Sequence, residues 1–151
     1  MIGVPRLYGR KARVLIVTGN TGEARSLSQA LSHTQRGYEV RILETEAEAN
    51  ARITAWRSGN CADQPDLILL DFDSESMNGA ELLRMLKSHE ETRKIPVIAM
   101  SSAESAADVE TAYESSANCV VHKPVNQDER LRMVRAIESF WFGSATLPRT
   151  C

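Results

Sequence analysis

Cysteine is nearly absent from this chain. Three residues, Cys61, Cys119 and Cys151, stand far apart, and no CxxC pair occurs. Neither a zinc site nor a redox pair is expected, and a reducing, cytoplasmic setting is the default. Long apolar runs are missing too. None approaches the roughly 18 residues of a membrane span, and the basic N-terminus MIGVPRLYGRKAR lacks the apolar stretch of a signal peptide. Charge of one sign is not in excess: 18 basic against 20 acidic residues give a net −2. That balance argues against binding nucleic acid or an anionic membrane through bulk charge. The three histidines, His33, His89 and His122, are scattered and suggest no metal cluster.

What is present is an ordinary globular composition, 42% hydrophobic and 25% charged over 151 residues. A chain of that length fits one domain that buries about 70% of its unfolded surface. Four short apolar runs stand out: VLIV at 14–17, DLILLD at 66–71, PVIAM at 96–100 and CVV at 119–121. A fifth, YEVRIL at 38–43, alternates more and belongs nearer an edge. Continuous apolar runs suit strands buried on both faces, as in parallel sheets. Helical stripes lie between them: Ala24, Leu27 and Leu31; Ala49, Ile53 and Trp56; Leu82, Leu83 and Leu86; Val109, Ala112 and Tyr113; and Leu131, Val134, Ile137 and Trp141. Capping-box spacing opens three of these segments, at Thr45, Ser105 and Asn126. Strand and helix alternate five times, which predicts an α/β fold: a doubly wound, five-stranded parallel sheet with right-handed crossovers.

In such sheets chemistry gathers at the carboxyl ends of the strands. Thr18 and Gly19 follow the first long run, Asp71 and Asp73 the third, Ser101 the fourth, and Lys123 with Pro124 the fifth. Taken singly, each has a plainer use: a terminal Asp as a turn residue, a Ser pair as a helix entry, Lys-Pro as a surface turn. Taken together, an acid, a hydroxyl and an ammonium converge on one rim.

That order resembles the receiver domain of bacterial response regulators over nearly the whole chain. PDLILLD is similar to the family's third strand, whose final aspartate accepts the phosphoryl group, here Asp71. MNGAELLRMLK, with Gly79 at its turn, resembles the following loop and helix. IPVIAMSS places Ser101 at the switch hydroxyl, and ANCVVHKPVN places Lys123 at the phosphoryl-binding lysine. The ending AIESFWFGSATLP resembles the last helix of single-domain regulators that serve bacterial phytochromes. The resemblance implies a two-component phosphorelay, a sensor histidine kinase of phytochrome type as partner, and no enzymatic or DNA-binding output. It divides the chain into an N-terminal extension, 1–10, a receiver-like domain, 11–143, and a tail, 144–151.

Two features depart from the family. Receivers hold Mg²⁺ with two acids after the first strand, and here those positions are Thr18 and Gly19. Asp71 and Asp73 remain, so a weak or absent Mg²⁺ site is expected. Glu23 is read as too far along the first helix to replace the pair. The second departure is Val120, where receivers tend to carry an aromatic that rotates inward on activation. Both losses allow an alternative, a phosphorylation-independent pseudo-receiver used for docking or dimerisation. A third reading starts from TGNT at 18–21, which spells the end of the flavodoxin loop for FMN phosphate. The loop begins too close to the strand for that, and aromatics to stack a flavin are scarce.

The last helix has more apolar residues than one stripe needs. Met133, Phe140 and Phe142 are expected to point away from the core stripe that ends at Trp141. A symmetric homodimer through Met133, Phe140, Trp141 and Phe142 is the expectation, and a fold-back of the tail over them is the alternative.

Overall fold

The computed structural model describes residues 6–7, 10–34, 37–102 and 106–148. Their elements run β1 (Arg6–Leu7), β2 (Arg10–Val17), α1 (Thr21–Ser32), β3 (Tyr38–Leu43), α2 (Glu46–Arg57), β4 (Leu67–Asp71), α3 (Gly79–Lys87), β5 (Val97–Ser101), α4 (Ala106–Glu114), β6 (Cys119–His122) and α5 (Gln127–Ser139). A π-helical turn, Phe140–Ser144, extends α5.

The five expected runs are β2 to β6. They pair in parallel in the order β3-β2-β4-β5-β6, with Val14 opposite Leu67 and Ile98 opposite Cys119. The alternating run YEVRIL is an edge strand, as its pattern indicated. Strand β1 was not anticipated: a two-residue pairing leaves no periodicity to read. It lies antiparallel to the start of β2, with Arg6 opposite Lys11.

Every residue of β4 and β5 is buried, because helices cover both faces. Alternation sorts their side chains into two cores. Ile68, Leu70, Val97 and Ala99 join α2, α3 and α4; Leu67, Leu69, Ile98 and Met100 join α1 and α5. The helix stripes read from the sequence are the buried faces in α1, α2 and α3. Thr45 and Asn126 cap their helices through side-chain oxygens that accept from Glu48 N and Glu129 N. Ser105 lies outside the described residues. Tyr113 departs from its stripe and is half exposed, while Ala112 is buried.

The expectation about cysteine fails at one position, since Cys61 is disulfide-bonded. Cys119 is a free, partly buried thiol, and burial pushes its pKa up. Among the described residues no helix is long and apolar enough to cross a membrane.

The opposite rim from the strand ends is pinned by Asp66, just before β4. Its carboxylate accepts both arms of the Arg10 guanidinium, at 2.8 and 2.9 Å, and the Arg13 amide at 2.8 Å. The strand order reverses between β2 and β4, with β3 on one side and β4 on the other, so the crevice of this sheet opens between Thr18 and Asp71.

Candidate functional site

Backbone bonds carry the sheet to its rim: Thr18 N donates to Leu43 O, Phe72 N to Met100 O, and Lys123 N to Ser101 O. The side chains that leave the strands there are therefore held on ordered backbone. Asp71 ends β4 with only 1% of its surface exposed. Three donors meet its carboxylate. Thr18 Oγ1 donates to Oδ2 at 2.7 Å, Lys123 Nζ sits 2.8 Å from Oδ1, and Asp73 N donates to Oδ1 at 2.9 Å. Gly79 allows this corner to close, because a Cβ there would stand 3.2 Å from the Asp71 carbonyl oxygen and 3.1 Å from the Phe72 ring.

Lys123 is the hub of the site. Its ammonium also lies 3.3 Å from Glu23 Oε2 and 3.9 Å from Asp73 Oδ2. Glu23, read as too far along the first helix to replace the acid pair, meets the rim as a partner of the lysine. The first turn of α1 points Glu23 back over the strand ends, where its flexible side chain reaches the lysine. Burial pulls the Lys123 pKa down, but its hydrogen bond to Asp71 and the charges of Asp71 and Glu23 outweigh this and hold it above the usual lysine value. Burial also pushes the Glu23 carboxyl up from its ordinary 4.5, with Asp71 adding to the rise and Lys123 opposing it.

Asp73 turns toward β5. Its Oδ2 accepts from Ser102 N at 2.6 Å, and its Oδ1 takes a long bond, 3.4 Å, from Ser101 Oγ. The buried Ser101 hydroxyl is thus on the rim, engaged with Asp73. The structure brings Asp71, Asp73, Ser101 and Lys123 together, and adds Thr18 and Glu23.

The donor set does not fit a divalent cation as it stands. Among the described residues no cluster of three acidic, histidine or cysteine side chains is arranged to hold one. The charge at the meeting point of Asp71, Asp73 and Glu23 is the lysine ammonium. The corner beside Gly19 is closed by hydroxyls: Gly19 N donates to Ser74 Oγ at 3.2 Å, and Ser74 and Ser76 lie 3.3 Å apart. A Cβ on residue 19 would fall 2.0 Å from Ser76 Oγ and 2.7 Å from Ser74 Oγ.

The TGNT loop does not present its amides as a phosphate cradle. Gly19 N serves Ser74, Asn20 N serves the Thr18 hydroxyl at 3.1 Å, and Glu23 N is capped by Asn20 Oδ1 at 3.0 Å. A groove of about 450 Å³ lies between β3 and α2 and away from this rim. Its Arg41 and Arg52 are both paired with Asp63 across it. At the other sheet edge the missing strand aromatic has a neighbour in Tyr113, whose hydroxyl accepts from Val120 N at 3.3 Å.

Of Met133, Phe140 and Phe142, expected to point away from the core, only Phe140 does, while Trp141 ends the core stripe as its period predicts. Met133, Trp141 and Phe142 pack against the α1–α5 core, and Phe142 meets the Tyr38 ring at 5.1 Å. Leu147 of the tail is buried, so part of the fold-back occurs. Phe140 remains exposed, at 55%, with Trp141 edge-on to it.

A doubly wound sheet that places a buried aspartate, a lysine and a hydroxyl on one rim defines a class, the phosphoacceptor modules of signalling. The sequence matches the model of the response regulator receiver domain over residues 14–135, and the chain belongs to that family. It is 30% identical to the response regulator Rcp1 of Synechocystis over 135 residues, 89% of this chain and 92% of that protein. Among solved structures it is similar to the phosphorylated cyanobacterial phytochrome response regulator RcpA, with a TM-score of 0.82 and 30% identity over 92% of this chain and 99% of that one. The Mn²⁺-bound form of Rcp1 aligns with a TM-score of 0.74 and 28% identity, covering 91% of this chain and 99% of the other.

Proposed function

We propose that this response regulator accepts a phosphoryl group on Asp71 from a sensor histidine kinase of phytochrome type, in the cytoplasm, through a site whose affinity for Mg²⁺ is weak. The observation that carries the reading is the buried Asp71 carboxylate with the Lys123 ammonium 2.8 Å from it. Phosphoryl transfer asks mainly for positioning and for charge to neutralise the phosphoryl oxygens. Lys123 supplies a mobile cation for that purpose. The kinase class is carried by similarity to Rcp1 and to the phytochrome regulator RcpA.

Switching follows from Asp73. In the present state its carboxylate holds both Ser101 and Ser102. A phosphoryl group on Asp71 adds negative charge beside Asp73 and offers the Ser101 hydroxyl a better acceptor. The end of β5 is then released from Asp73 and redrawn toward Asp71. The receiver unit is 11–143, and Phe140 anchors a homodimer.

Purified protein treated with phosphoramidate should gain one phosphoryl group, and Asp71→Asn should gain none. Lys123→Ala should abolish labelling, because little other positive charge faces Asp71. Omitting Mg²⁺ should change the wild-type yield by less than about tenfold, since a metal that binds weakly contributes little. An unlabelled wild type would leave the second reading, a docking pseudo-receiver, which the Ser74 and Ser76 hydroxyls closing the corner beside Gly19 favour.

A further inference from the structure

The hydroxyl of Thr18 stands where the family has an acid, and its geometry is specific. Thr18 is fully buried. Its Oγ1 accepts from Asn20 N at 3.1 Å, which leaves its proton directed at Asp71 Oδ2, 2.7 Å away. The two oxygens of Asp71 are not equivalent. Oδ1 receives two donors, Lys123 Nζ and Asp73 N, at 2.8 and 2.9 Å. Among the described residues Thr18 is the one hydrogen-bond donor to Oδ2. A carboxylate oxygen offers about two lone-pair sites, so Oδ1 is filled and Oδ2 keeps one free.

We propose that Thr18 is an orienting residue for phosphoryl transfer: its hydroxyl fixes Asp71 so that Oδ2 is the attacking oxygen, and it passes its hydrogen bond to a phosphoryl oxygen once the bond has formed. This rests on the proposal that Asp71 is the acceptor. With phosphoramidate the balance is simple. Oδ2 forms the bond to phosphorus, the P–N bond breaks, and nitrogen leaves with the bonding pair and a solvent proton as ammonia. Thr18 keeps its own proton throughout. After transfer Oδ2 is an ester-type oxygen and a poor acceptor. The hydroxyl then has a charged phosphoryl oxygen within a small rotation. A neutral donor thereby does part of the orienting that an acid with a bound metal does elsewhere, without adding negative charge to the site.

The test compares Thr18→Val, nearly isosteric and without the hydroxyl, with Thr18→Ser, which retains it. Rates of phosphoramidate labelling are followed by intact-mass spectrometry, with Asp71→Asn as the blank and thermal melts as the check on folding. Thr18→Val should label about tenfold more slowly or worse, as expected for losing a hydrogen bond to a charged group. Thr18→Ser should stay within about threefold of wild type. Equal rates in Thr18→Val and wild type would overturn the proposal, as would faster labelling in Thr18→Val, which would make the hydroxyl a brake. If Thr18→Val does not fold, Thr18→Ser decides: a tenfold loss with the hydroxyl present would refute the assignment. A wild type no more labelled than Asp71→Asn would instead refute Asp71 as acceptor, and this inference with it.

Discussion

Glu23 shows how much a single side chain here depends on its surroundings. Folding raises its pKa above 4.5, chiefly through burial. Between 4.5 and that raised value the folded chain binds more protons than the unfolded one, so stability falls as pH rises through the window. Glu23→Gln removes this slope. In urea melts the variant should gain on wild type as pH rises from about 4.5 toward neutrality, and parallel pH profiles would show that Glu23 is not shifted. Lys123 has the same sign in a higher window. Its folded pKa lies above the ordinary 10.5, so its stabilisation is complete at neutral pH and is lost only as pH rises through the folded value. Residue 19 sets a further condition. Restoring an acid pair by Thr18→Glu with Gly19→Asp meets Ser76 Oγ, 2.0 Å from the new Cβ. The double variant should bind Mg²⁺ poorly. Adding Ser76→Ala should bring saturation into the low millimolar range or below by NMR titration (an order-of-magnitude expectation for a carboxylate Mg²⁺ site).

Among the elements, β4 is held at both ends by carboxylates with different tasks. Asp71 at its carboxyl end faces the site, and Asp66 before its amino end fixes β2 to β4. The Asp66 side chain is 1% exposed and Arg10 is 26% exposed, so the pair is mostly desolvated. Asp66→Ala removes the carboxylate to which both the Arg10 guanidinium and the Arg13 amide donate. It should cost about 3 kcal/mol in chemical denaturation, the scale for breaking a buried pair, while leaving the Asp71 rim in place. A loss below about 1 kcal/mol would show that solvent replaces the carboxylate. Lys87 closes α3 in a similar manner, donating to Arg93 O, Ile95 O and Asn118 Oδ1, with burial drawing its pKa down to about 8.

For the molecule as a whole, the open question of assembly narrows to Phe140. Phe142 is engaged with Tyr38, whose hydroxyl in turn donates to Glu138 at 2.9 Å. A charge at 142 would therefore damage the monomer as well as any interface. Phe140→Asp is the clean probe. Light scattering at tens of micromolar, a concentration set by ordinary interface affinities, should show a dimer for wild type and a folded monomer for the variant. A monomeric wild type would sink the homodimer.

The sequence by itself determined the five parallel strands, their helices, and the rim on which Asp71, Ser101 and Lys123 meet. Burial on both faces leaves unbroken apolar runs such as LILL before Asp71, and alternation fixes which residues end at the carboxyl edge. It also showed that the acid pair was gone. It could not show what had taken the place of those acids. Whether Glu23 reaches Lys123 depends on the pitch of α1 against the sheet, and whether Ser76 closes over Gly19 depends on how the loop after β4 folds. Met133 and Phe142 carry the same ambiguity, since a helical period gives a direction but not a neighbour. Only the tertiary structure decided these, because each is a contact between segments far apart in the chain, set by the packing of several elements at once.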